Sequence, residues 1–131
     1  MVIDTSALLA IALGGPSRES LLDRIESATV KAISSVSLLE AGMVLRARRG
    51  DVAVGLLHQI VEDLGFEVVP FDEVQARLAI SAFGRFGKGM GHRAQLNFGD
   101  CAVYALTELR GEPVLATGND FAATDLRVFH P

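Results

Sequence analysis

"MVIDTSALLAIAL", residues 1–13, opens the chain with two kinds of pattern back to back. "MVID" is a short apolar run, long enough for a buried strand and too short for a helix. "SALLAIAL" is a run of good helix formers, and Thr5 or Ser6 before it has a hydroxyl suited to cap its first turn. A strand passing directly into a helix is the start of a βα unit. The stretch also carries Asp4, a full charge at the junction. It has no basic segment before the apolar residues, and with Asp4 inside them it does not read as a secretory signal.

The same alternation continues outward. "SRESLLDRIESA" is amphipathic, with Pro16 placed for a helix start. "VKAISSV" reads as a strand, and "SLLEAGMVLRARR" as a helix whose Ser37 and Glu40 have the spacing of a capping box. Gly50 stops that helix, and Asp51 is expected to cap the next, "DVAVGLLHQIVEDLG". "FEVVPF" reads as a strand, and Asp72 caps "EVQARLAISAFGRF". The glycine-rich "GKGMGHRAQL" is a surface loop, and Asn97 caps an apolar helix to about Leu109. "EPVLAT" is a strand, "NDFAA" a turn or short helix, and "LRVFH" a last strand. Strands alternating with helices imply crossovers and a parallel sheet covered on both faces. The expectation is an α/β chain: one three-layer α/β/α domain over residues 1–131, with about four or five strands.

Composition agrees. The 131 residues are 50% hydrophobic and 21% charged, which fits a packed globular chain rather than a disordered one. Net charge is −4, so attraction to a polyanion must rest on a local patch. Cys101 is the single cysteine, which excludes an internal disulfide and fits a reducing, cytoplasmic setting. No apolar run approaches the roughly 18–20 residues of a membrane span.

Four acids stand at strand ends or in helix first turns: Asp4 ends the first strand, Glu40 lies in the first turn of the helix after the second, Asp100 in the first turn of the apolar helix, and Asp120 after "EPVLAT". In an open parallel sheet these junctions share one edge, the edge where ligands bind. Each acid has a local explanation. Asp4 and Asp120 could serve turns, Glu40 could complete a capping box, and Asp100 could answer a helix dipole. Together they would repel and take up protons unless a cation held them. Oxygen donors alone suit Mg²⁺, with Mn²⁺ as a substitute, better than zinc. Such a site suits phosphodiester hydrolysis.

Four stretches, "VIDTSALLAIAL", "SSVSLLEAGMVL", "LNFGDCAVYAL" and "VLATGNDFAATDL", resemble in order the motif regions of PIN domains, and more narrowly of the VapC toxins of bacterial toxin–antitoxin pairs. The resemblance covers nearly the whole chain. It implies a Mg²⁺-dependent endoribonuclease silenced by a cognate antitoxin, with a homodimer as the assembly. Asp4, Glu40, Asp100 and Asp120 match the family's acidic metal-binding and catalytic positions. Ser6 and Thr117 match hydroxyl positions at the site. Many relatives carry a further acid where this chain has Gly118 and Asn119, which leaves Asp120 or Asp125 to complete the set.

Charge supplies candidates for RNA contact. Val74 to Gly99 contains no acid, yet it contains Arg77, Arg85, Lys88 and Arg93; Arg46, Arg48 and Arg49 form a second cluster. Lys88 and Arg93 are the first choices for phosphate binding. His92 in the loop could titrate near the chemistry or simply belong to the loop. Two other classes remain on these residues. A phosphatase of the haloacid dehalogenase kind would want an acid where Ser6 stands. A non-catalytic Mg²⁺-binding, receiver-like module would want a lysine after a strand.

Overall fold

Val2 and Ile3 are neighbours in the chain but pack into different cores, and the same is true of Ala32 and Ile33 and of Val114 and Leu115. Side chains alternate across a strand, so this pattern requires a sheet with both faces covered. The computed structural model describes residues 1–131 and has that form. Its elements run β1 (Val2–Ile3), α1 (Thr5–Ala12), α2 (Arg18–Glu26), β2 (Ala32–Ser34), α3 (Ser35–Arg49), α4 (Asp51–Asp63), β3 (Glu67–Val69), α5 (Glu73–Phe86), α6 (Phe98–Arg110), β4 (Val114–Leu115) and β5 (Val128–Phe129).

The sheet has five parallel strands in the order β3-β2-β1-β4-β5, at the upper end of the expected count. β1 lies at the centre, with Val2 opposite both Ala32 and Val114. One core joins Ile3, Ile33 and Leu115 to Leu8 and Ile11 of α1, Leu21 and Ile25 of α2, Leu45 of α3 and Leu57 of α4. The other joins Val2, Ala32 and Val114 to Phe86 of α5 and Cys101, Tyr104 and Leu106 of α6. α6 is buried along most of its length, as its apolar sequence requires. No helix is long and apolar enough to cross a membrane.

Several boundaries move. Asp4 itself, rather than Thr5 or Ser6, is the N-cap of α1 and accepts the Ser6 amide at 2.9 Å. Ser34, at the end of β2, caps α3 by accepting the Val36 amide at 3.1 Å. The Ser37–Glu40 capping box therefore does not form: Ser37 is already inside the first turn, and Glu40 falls in the second. Gly50, not Asp51, occupies the N-cap of α4, at φ +79°, and Asp51 instead pairs with Arg46 across 3.5 Å at the surface. Asp72 and Asn97 cap α5 and α6 as expected. The strands are shorter than their apolar runs; Pro70, for example, has no N–H with which to extend β3.

Candidate active site

All strands point the same way, so the first residues after β1 and β4, and the start of the helix after β2, lie along one edge. Asp4 follows β1 and is only 4% exposed. Its position is over-determined. Its Oδ2 accepts the Ser6 amide at 2.9 Å and the Ser6 hydroxyl at 2.5 Å. The Ser6 Oγ in turn accepts the Thr117 amide at 3.1 Å, which ties the end of β4 to the end of β1. Ser6 is thus a strut beneath Asp4. At Thr117 the backbone makes this link, and the side chain is exposed.

Asp100 stands in the first turn of α6 and completes a capping box: its Oδ2 accepts the Asn97 amide at 3.0 Å, while Asn97 Oδ1 accepts the Asp100 amide at 2.9 Å. One carboxylate oxygen is thereby fixed and the other is left for a ligand. Glu40 projects from α3 toward the same turn of α6. A Cβ built on Gly99 would come within 2.6 Å of Glu40 Oε2 and 3.0 Å of Oε1. Asp120 lies in the turn after β4 and is exposed.

The electrostatics record how these acids converge. Burial pushes the Asp100 carboxyl up to about 6; the Asn97 amide opposes the rise, and the charges of Asp120, Asp4 and Glu40 add to it. Burial likewise holds Asp4 above the usual carboxylate range, against the pull of the Ser6 and Thr5 hydrogen bonds, with Glu40 adding repulsion. The Cys101 thiol is raised by burial and by the neighbouring Asp100 charge. Three other chain segments thus bring their carboxylates within electrostatic reach of Asp100. As the side chains stand, no three acidic, histidine or cysteine groups are gathered closely enough to hold a metal ion.

Asp125 has a different occupation. It accepts the Tyr104 hydroxyl at 2.6 Å and the Arg85 guanidinium at 3.1 Å, and both contacts hold its carboxyl below the usual range. It braces the last turn against α5 and α6, so Asp120 is the acid whose charge reaches Asp100. Arg85 is spent on this brace, and Arg77 pairs with Glu73 at 3.3 Å. Lys88 and Arg93 are exposed and make no ion pair, on the loop that leads into α6. That loop is pinned at its base: the Lys88 amide donates to the Leu96 carbonyl, and the Leu96 amide to Phe86, each at 2.9 Å. His92 belongs to the loop's structure, with Nδ1 accepting the Ala94 amide at 3.1 Å and its ring edge-on to Phe86.

Sequence reading missed two residues. Ser34 was hidden inside a β-like run. Gly99 carried a weaker signal, a glycine in a helical first turn where alanine would be the better helix former.

Comparison with known proteins agrees with this geometry. A family model described as "PIN domain" matches residues 1–126. Ribonuclease VapC28 of Mycobacterium tuberculosis is 43% identical over 127 residues, spanning 97% of this chain and 96% of that protein. The crystal structure of Mycobacterium tuberculosis VapC20, described as a Sarcin-Ricin loop cleaving toxin, superposes with a TM-score of 0.81 at 20% identity, covering 99% of this chain and 98% of that one. VapBC2 from Rickettsia felis, bound to a DNA fragment from its promoter, gives 0.78 at 12% identity, covering 98% and 96%. A sheet with its acids along one edge, a matching family model and full-length similarity to a named VapC lead to one assignment: this chain belongs to the PIN-domain family, among the VapC ribonucleases.

Proposed function

We propose that this protein is a divalent-metal-dependent endoribonuclease, the toxin of a toxin–antitoxin pair, with Asp4, Glu40, Asp100 and Asp120 as its metal-binding acids. The observation that carries the reading is that four acids from separate segments face one edge, with Asp100 raised first by burial and further by the charges of Asp120, Asp4 and Glu40. The donor set is all oxygen, which fits Mg²⁺ and also Mn²⁺. Asp4 and Asp100 are the fixed members, each held by backbone N–H groups. Glu40, half-buried on a long side chain, and the exposed Asp120 have the freedom to close on an ion. A divalent cation held by these acids would supply Lewis acidity toward a phosphoryl oxygen and a water acidic enough to act as nucleophile near neutral pH. The chain's own part is to hold the ligands, keep Asp4 aligned through Ser6, and bring the RNA backbone in through Lys88 and Arg93.

The test is cleavage of RNA by purified protein in millimolar Mg²⁺, with small phosphate esters alongside. RNA cut and esters untouched is the expected result. Ester hydrolysis without RNA cleavage would favour a phosphatase.

The partner readings rest on apolar surface. α3 and α4 enclose a cavity of about 520 Å³ lined by Leu38, Leu39, Met43, Val54, Leu57 and His58, and Leu39 directly precedes Glu40. This groove suits an amphipathic antitoxin segment whose arginine reaches the acids, since a guanidinium binds a carboxylate through two hydrogen bonds. An antitoxin peptide is expected to lose affinity as Mg²⁺ rises at constant ionic strength, because both cations want the same carboxylates. Affinity independent of Mg²⁺ would move the inhibitory contact elsewhere. α5 and α6 enclose a second cavity, about 360 Å³ and wholly apolar, between Ile80, Phe83, Phe98 and Cys101. Ile80 and Phe98 are 72% and 84% exposed, the kind of patch that self-association covers. Light scattering at micromolar concentration is expected to give a dimer mass, and Ile80→Glu a monomer. A wild-type monomer would contradict the dimer.

A further inference from the structure

Gly99 directly precedes Asp100 in α6, yet its backbone faces Glu40 of α3. An added Cβ would meet Glu40 Oε2 at 2.6 Å, closer than real Cβ contacts come, and Oε1 at 3.0 Å and Cδ at 3.1 Å, which are tight. What it would meet is the free end of a flexible side chain and no backbone. The cheapest relief is therefore a rotation of the Glu40 carboxylate away from α6. The backbone gives no independent reason for glycine here, because Gly99 is not among the residues with positive φ. Within a helix, alanine is intrinsically favoured over glycine. The absent side chain is thus a cost to the helix, and the one structural return visible for it is the space taken by Glu40.

We propose that Gly99 is a positioning residue: its missing side chain lets the Glu40 carboxylate lie against the first turn of α6, beside Asp100. This rests on the proposed role of Glu40 as a metal-binding acid. Gly99 touches no reacting group and acts only through Glu40.

The test compares Gly99→Ala with Glu40→Gln and with two control glycines. Gly55 of α4 and Gly84 of α5 have nothing within 4 Å of an added Cβ, so Gly55→Ala and Gly84→Ala carry the same helix change without displacing a carboxylate. Gly99→Ala is expected to lower kcat for RNA by about 10–100-fold with KM little changed, the scale of a displacement near 1 Å at a reacting centre. Its melting temperature without metal should match or exceed wild type, while the rise produced by Mg²⁺ alone should shrink. The controls should keep wild-type kcat and the full Mg²⁺ response. If Glu40→Gln is inactive but Gly99→Ala cleaves as well as the controls, the positioning role is wrong and the reading of Glu40 stands. If Gly99→Ala melts well below wild type without metal, Gly99 is a packing residue and the proposal falls. If Glu40→Gln itself keeps wild-type cleavage, Glu40 is not a metal-binding acid, and the role of Gly99 goes with it.

Discussion

Replacing Asp100 with asparagine is expected to lower RNA cleavage at least ~100-fold, the scale lost when a principal transition-state charge stabiliser is removed. The shape survives, because an asparagine Oδ1 can still accept the Asn97 amide and keep the capping box. What disappears is a negative ligand. Asp4→Asn and Glu40→Gln belong to the same series and should show losses of the same order. Stability should move the other way. The folded-state pKa of Asp100 lies near 6, above its ordinary value of 3.8. Between these values the folded protein binds more protons than the unfolded one, so metal-free stability falls as pH rises through this window and stays lower above it. Asparagine removes that fall. In EDTA, Asp100→Asn should melt above wild type at pH 7.5, with a smaller difference at pH 4.5. A variant that cleaves normally, or that is destabilised at both pH values, would reduce Asp100 to a helix cap.

Removing divalent cations is expected to reduce cleavage by roughly 1000-fold or more, and adding back Mg²⁺ or Mn²⁺ should restore it. The reason begins with the carboxylates. With no cation among them, Asp4, Glu40, Asp100 and Asp120 present concentrated negative charge to a substrate whose scissile phosphate is also negative. The scissile phosphate is then repelled from the acids, and catalysis fails. A loss of several kcal/mol in transition-state charge stabilisation corresponds to about three powers of ten, at about 1.36 kcal/mol for each. Lys88 and Arg93 remain free to attract RNA, but no lysine or arginine pairs with any of the four acids, so none stands in for the charge lost among them. Arg85 is engaged by Asp125 and Tyr104, Arg77 by Glu73, and Arg46 by Asp51. Undiminished RNA cleavage after extensive chelation would remove the metal from the account.

The layers of the fold were legible because each element has a strong local signal. β1, β2 and β4 are short apolar runs between breakers, and α5 and α6 begin at Asp72 and Asn97, which cap them as their side chains dictate. The start of α3 was not legible. Two serines within reach, Ser34 and Ser37, both have the chemistry of a cap, and the choice between them is made by where β2 ends in the sheet. That choice matters for the site, because it releases Glu40 from a capping role. At the site, Asp4, Glu40 and Asp120 were legible as charges following strands, and Asp100 as a charge in the first turn of an apolar helix. Their supports were not. The bond from Thr117 to Ser6, which carries the link on to Asp4, spans 111 residues of sequence, and only the adjacency of β1 and β4 creates it. The contact between Gly99 and Glu40 depends on how α3 lies against α6, which neither sequence segment encodes alone. Asp125 could be told from Asp120 only once Tyr104 and Arg85 were seen to hold it.

The most direct measurement is the melting temperature at pH 7.5 as Mg²⁺ is titrated into metal-free protein, for wild type, Asp4→Asn and Asp100→Asn. A ligand that binds only the folded state adds about 2.7 kcal/mol at one hundred times its Kd. For a domain of this size that is a rise on the order of 10 °C. If the four acids form one cation site, wild type shows this rise, growing with the logarithm of Mg²⁺ above the Kd, while the two variants start from a higher metal-free value and respond weakly. No rise in wild type up to millimolar Mg²⁺, or an equal rise in all three proteins, would contradict the site at its centre.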